Sequence, residues 1–167
     1  GAYAQNLHYL ESTPDEKSKG FYGKNPFYEG LQESTWTHVA VVRSPQADGV
    51  TKISIYVDGA YMIGPTFDGL HEDPSNPGPI TIGCADKADG TTAHFYGAID
   101  ELRLSNIARY DADFDPTQIH DADENTVLLY HFEDTENPLM DSSSNQLDGK
   151  WIGEPLASQG AEALLCE

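Results

Sequence analysis

The sequence predicts an all-β protein, an antiparallel two-sheet sandwich, on three observations. Stretches with helical periodicity are almost absent. Short alternating or apolar runs recur, punctuated by Gly, Pro, Asn and Asp. Enough large aliphatic side chains fall on one face of these runs to fill a shared interior.

Taken in order, residues 36–43 (WTHVAVVR) are rich in β-branched side chains and predict a buried strand, closed by the turn cluster SPQADG at 44–49. Residues 52–57 (KISIYV) alternate strictly, with Ile53, Ile55 and Val57 on one face. Asp58-Gly59 follows, then Ala60-Tyr61-Met62-Ile63. This is a hairpin with a two-residue turn in which Gly supplies the positive φ. Residues 72–79 (EDPSNPGP) form a loop, 80–83 a short strand, 85–93 a polar loop, and 95–104 a strand pair or one bulged strand. One helical turn is expected over 105–110 and irregular acidic chain over 111–125. Residues 126–132 (TVLLYHF) are the last strong strand, followed by a polar loop over 134–149 and a weak helix after 153. The expected core is Val39, Val41, Ile53, Ile55, Val57, Ile80, Ile82, Ile99, Leu102, Leu104, Leu128 and Tyr130. Burying each large aliphatic side chain stabilises by roughly 1.5–3 kcal/mol, before chain entropy is subtracted.

The chain has 167 residues, the length of one ordinary domain, so residues 1–167 are expected to share a single core. Nine basic and 28 acidic residues give a net charge of −19. That field repels phosphate backbones and anionic headgroups, which argues against nucleic acid and membrane surfaces as partners. No apolar run is long enough for a membrane-spanning helix. Gly1-Ala2 reads as a remnant of processing or cloning, so the start carries no information about export. Cys84 and Cys166 are compatible with one long-range disulfide or with two buried thiols.

Several pieces then match a family, in order. They are Trp36-x-His38-Val39-Ala40, Ile55-Tyr56-Val57-Asp58-Gly59, Ile82-Gly83 and Phe95-Tyr96-Gly97-x-Ile99-Asp100-Glu101-Leu102-Arg103-Leu104. Together they resemble the laminin-G-like, concanavalin A-like lectin/glucanase jelly rolls. Residues 105–110 with Phe114 and Pro116, and residues 126–132 with Asp141-Ser142-Ser143-Ser144-Asn145 and Asp148-Gly149, resemble the branch found in large secreted bacterial proteins. The resemblance spans residues 36–152 and implies a jelly-roll sandwich. It departs in one respect: the element at 126–152 closes this chain, where it opens relatives. A fragment of a longer protein, an element belonging to a following repeat, and a cyclic shift all account for that; a shift is favoured, since sandwich termini lie close together.

The resemblance also implies a calcium site. It implicates Asp100, Asp141, Asn145 and Asp148 as oxygen ligands, with Ca²⁺ as a structural cofactor. Their alternative is an Asx-type turn for Asp141 and Asn145, and pairing with Arg103 for Asp100. Related glucanases carry two carboxylates on the strand that matches residues 98–103; here Ala98 and Arg103 stand at those places, so no catalysis is expected. None of the six histidines forms a helical metal pair, and His38 and His131 read most simply as core or edge residues. The aromatic run at 21–28 (FYGKNPFY) offers Tyr22, Asn25 and Tyr28 for stacking on and bonding to a sugar, against burial as a cap on the sandwich. The expected function is a non-catalytic, calcium-stabilised, carbohydrate-binding module of an exported, cell-surface or periplasmic assembly. The alternative is a domain that docks on a protein partner in a larger complex without binding sugar.

Overall fold

A computed structural model describes residues 10–13, 16–20, 35–47, 49–63, 66–68, 80–86, 92–95 and 97–152. Every strand pairing among them is antiparallel, and no helix is formed. The chain divides into two compact units. One comprises residues 1–78 and 108–116, the other residues 79–107 and 117–167.

In the first unit β1 (Leu10–Thr13) pairs with β2 (Glu16–Gly20), a ribbon with no counterpart in the sequence-based expectation. The main sheet runs β3 (Val39–Pro45), β4 (Val50–Val57) and β5 (Ala60–Ile63), with β6 (Thr66–Asp68) also on β4. The β4–β5 turn forms as expected, and both of its residues are left-handed: Asp58 at φ 47° and Gly59 at φ 78°. This is the two-residue turn whose twist matches its strands. Asp58 also locks the start of β3. Its Oδ1 accepts from the His38 amide at 2.9 Å, while its own amide donates to the His38 carbonyl at 2.8 Å.

β4 is buried on both faces, with Ile53, Ile55 and Tyr56 each no more than 1% exposed. Tyr56 meets Tyr61, Tyr110 and Phe114 edge-to-face, and Tyr110 stacks on Phe114 at 3.6 Å. The segment carrying those two rings is pinned by hydrogen bonds from the Phe114 amide to Gly59 and from the Tyr61 amide to Asp113. The core expectation needs correction on β3. Val39 and Val41 are each 42% exposed, and the buried residue is Val42. Side chains alternate along β3, so Val39 and Val41 share one face and Val42 lies on the other, and it is the Val42 face that is covered.

In the second unit β7 (Cys84–Asp86) pairs with β8 (Thr92–His94), and β9 (Leu102–Ser105) with β10 (Thr126–Tyr130). Residues 80–83 are not a strand; pairing begins at Cys84 and runs into the stretch expected to be a loop, and Ile80 is exposed. Among the described residues only the end of 95–104 is strand; Ser105 continues β9, and 106–110 makes bends and irregular chain rather than a helical turn. Leu128, Tyr130, Phe132 and Leu139 form the core here, with Ile82, Ile99 and Leu102 packed against it. Leu104 is exposed, contrary to expectation.

Candidate functional site

The second unit gathers most of the expected site residues around the end of β10. Register slips between Thr126 and Leu128, which makes Val127 a bulge. The carbonyls of Thr126 and Val127 are met by side chains from the following loop. Asn145 Nδ2 donates to both, at 3.2 and 2.9 Å, and Ser143 Oγ lies 3.2 Å from the Val127 carbonyl.

Asp141 is the centre of that loop. Its Oδ1 accepts from the amides of Leu129 and Ser143, and its Oδ2 from Ser143 Oγ and the Leu147 amide, all at 2.7–2.9 Å. Asp148 Oδ1 accepts from the Asp141 amide at 2.9 Å. Burial pushes the Asp141 carboxyl up, but the donors from Leu129, Leu147 and Ser143 outweigh it and hold the group below the usual carboxylate range. A carboxylate offers about four lone-pair directions, and here four donors take them. Asp141, Asn145 and Asp148 are thus brought together as an Asx-type staple, with the Asp141 oxygens spent on hydrogen bonds. As folded, Asp141 has no lone pair left over for a calcium ion. Among the described residues no group of three or more His, Cys, Asp or Glu side chains is placed to hold a metal.

Asp100 is not part of that staple. It is half-buried beside β9, and its Oδ1 accepts from the Glu101 amide at 2.9 Å. Burial raises its pKa, the Glu101 amide opposes this, the negative charges of Glu101 and Glu133 raise it further, and His131 lowers it.

A pairing that sequence reasoning missed lies next to it. Glu101 Oε1 is 2.7 Å from His131 Nδ1, and Glu101 Oε2 accepts from the His120 amide at 2.8 Å. His120 Nδ1 in turn lies 3.2 Å from Thr117 Oγ1. Both Glu101 (φ 49°) and Phe132 (φ 60°) are left-handed, a conformation that costs a residue with a Cβ about 1–2 kcal/mol. The only signal in the sequence was chemical: a carboxylate and an imidazole, each one residue beyond the last pair of the β9–β10 ladder.

His131 also lines a cleft of about 110 Å³ with Phe132, Glu133, Asp134, Asn137, Pro138, Met140 and Ser142. Asp134 is held below the usual carboxylate range by the Asn137 and Glu136 amides. A carboxylate-held imidazole can serve as a base when a nucleophile is bonded to it. Ser142 is on the same wall, yet among the described residues no hydrogen bond joins it to His131. Tyr22, Asn25, Tyr28 and Cys166 lie outside the described residues.

The pairings and the strand signatures define an all-β, concanavalin A-like domain, of the type that serves as a binding module. The chain belongs to the concanavalin A-like lectin/glucanase superfamily: the Laminin_G_3 family model matches residues 19–113. The match covers the β3–β5 sheet and β9 and ends before the Asp141 loop. No curated protein and no solved structure matches the chain.

Proposed function

We propose that this chain is a non-catalytic recognition module that binds carbohydrate within an exported or cell-surface assembly. One observation carries the reading. The chain belongs to a superfamily of lectins and glucanases, yet Ala98 and Arg103 stand where the resembling glucanases carry their two carboxylates. Without that pair, a glycosidic bond has neither nucleophile nor proton donor. The binding face assigned to sugar is the aromatic run with Tyr22, Asn25 and Tyr28.

The Asp141 loop closes on its own hydrogen bonds, so calcium is not required to hold it. A metal that binds only the folded form raises the melting midpoint; here the midpoint is expected to be the same in calcium and in chelator. A clear rise in calcium would restore the metal assignment to Asp100, Asp141, Asn145 and Asp148. For the carbohydrate reading, the whole chain is applied to a glycan array in both conditions. Retention of a defined glycan set, lost in Tyr22→Ala and Tyr28→Ala, supports it. An array with no retained glycan in either condition ends it, as does release of reducing sugar from a polysaccharide.

A further inference from the structure

We propose that the cleft formed by residues 131–142 receives an arginine or lysine side chain of a partner polypeptide. This goes beyond carbohydrate recognition and does not depend on it.

Size is the first argument. Small-molecule sites commonly enclose about 300–1,000 Å³, and this cleft encloses only about 110 Å³. That suits one side chain better than a run of sugar rings. The second argument is the lining. Phe132 and Pro138 are largely buried, while Met140 is 45% exposed. These apolar walls match the methylene stem of a long basic side chain, which buries its stem while its charged head stays at the rim.

The third argument is charge. Glu133 and Asp134 are both exposed lining residues, and ionised carboxylates only accept hydrogen bonds. A guanidinium or ammonium only donates. Local charge is not neutralised from within. The charges that act on Asp100 are those of Glu101 and Glu133, of like sign, with His131 alone opposing them. On a chain of net charge −19 the surrounding field has the same sign. A neutral sugar would need donors as well as acceptors. A calcium ion would leave the apolar walls uncovered.

The test is an amide-resolved NMR titration of the whole chain with Nα-acetylarginine amide, Nα-acetylcitrulline amide and calcium chloride in parallel. Citrulline keeps the shape of arginine and removes its charge. The expected result is saturable shifts at residues 131–142 with the arginine probe, weaker by about tenfold or more with citrulline. Glu133 makes no hydrogen bond among the described residues, so Glu133→Gln should leave the fold intact and weaken the arginine probe by a similar factor. Met140→Lys, which sets a cation on the wall, should abolish the shifts. Equal response to citrulline, preference for calcium, absence of shifts, or shifts as large at Asp111, Asp113 and Asp121 as in the cleft would each overturn the proposal.

Discussion

Glu101 Oε1 and His131 Nδ1 face each other at 2.7 Å, one residue beyond Leu102–Tyr130, the last backbone pair of the β9–β10 ladder. The ladder thus ends in a side-chain pair, and the second Glu101 oxygen ties in the amide of His120. Replacing Glu101 by Ala leaves the His120 amide and the His131 ring without their acceptor. Hydrogen bonds to a charged group contribute about 1.5–3 kcal/mol each, so Glu101→Ala should destabilise by about 2–4 kcal/mol in urea melts. Glu101→Gly loses the same bonds but accepts the positive φ, and it should recover about 1 kcal/mol of that loss. Equal stabilities for the two variants would show that the left-handed backbone is not strained. Imidazole ¹⁵N shifts should also report the Nδ1–H form of His131 in the native chain and its loss in both variants.

Asp141 carries a pH dependence with a definite sign. Its folded pKa lies below the unfolded value of about 3.8. The native state therefore gains from the ionised form, in full above the ordinary carboxylate value, and loses that gain as pH falls through the folded pKa. Asp141→Ala should cost about 2–4 kcal/mol at neutral pH, because three amides and a hydroxyl lose their acceptor. The gap between native and variant should narrow in acid. A gap that stays constant from neutral pH to pH ~2 would remove the charge from this account.

How far these features were legible in the sequence depends on where each one is encoded. Strict alternation at 52–57 and the Asp58-Gly59 pair fixed β4 and its turn, because both are local and each residue's conformation agrees with its neighbours. Val39 and Val41 look identical to buried strand residues, and in the apolar run Val39-Ala40-Val41-Val42 only tertiary packing decides which face is covered. Cys84–Asp86 carries no β-rich pattern; its pairing comes from the partner at Thr92–His94 and not from its own side chains. At the site, Asp141 and Asn145 could be read from composition as ligands or as turn residues. The four donors that separate those roles come from Leu129, Ser143 and Leu147, and the Leu129 amide lies on a strand twelve residues away. The Glu101–His131 pair spans thirty residues and follows only once the β9–β10 register is known.

Tyr130 gives the opposite pH sign. Its hydroxyl donates to the Leu147 carbonyl at 2.7 Å. Burial raises its pKa, and the negative charges of Asp141 and Asp148 raise it further. The folded state thus prefers the neutral phenol. Its contribution is complete below the ordinary tyrosine value and is lost as pH rises through the folded pKa. Stability should fall on the alkaline side with this residue taking part, and Tyr130→Phe should flatten that limb while costing about 1 kcal/mol at neutral pH. An alkaline limb unchanged in Tyr130→Phe would assign the loss to other groups.

Gly59 is the position in the first unit where a single added carbon should do most harm. Its φ is +78°, which L side chains rarely adopt, and its carbonyl accepts the Phe114 amide at 3.0 Å. A Cβ built there falls 1.8 Å from the Phe114 carbonyl oxygen and 3.0 Å from the Pro116 ring. Backbone cannot rotate aside as a flexible side chain does, so the segment carrying Tyr110 and Phe114 must move. Those two rings cover Tyr56, which is fully buried on β4. The expected cost combines about 1–2 kcal/mol of backbone strain with partial loss of aromatic packing, on the order of 2–4 kcal/mol in all. Near-ultraviolet circular dichroism should weaken together with the denaturation midpoint. Asp58→Asn keeps a residue that tolerates positive φ and keeps an Oδ1 to accept from His38, so it should remain within about 1 kcal/mol of the native chain. A Gly59→Ala protein as stable as Asp58→Asn would mean that the 108–116 segment is not seated on the turn.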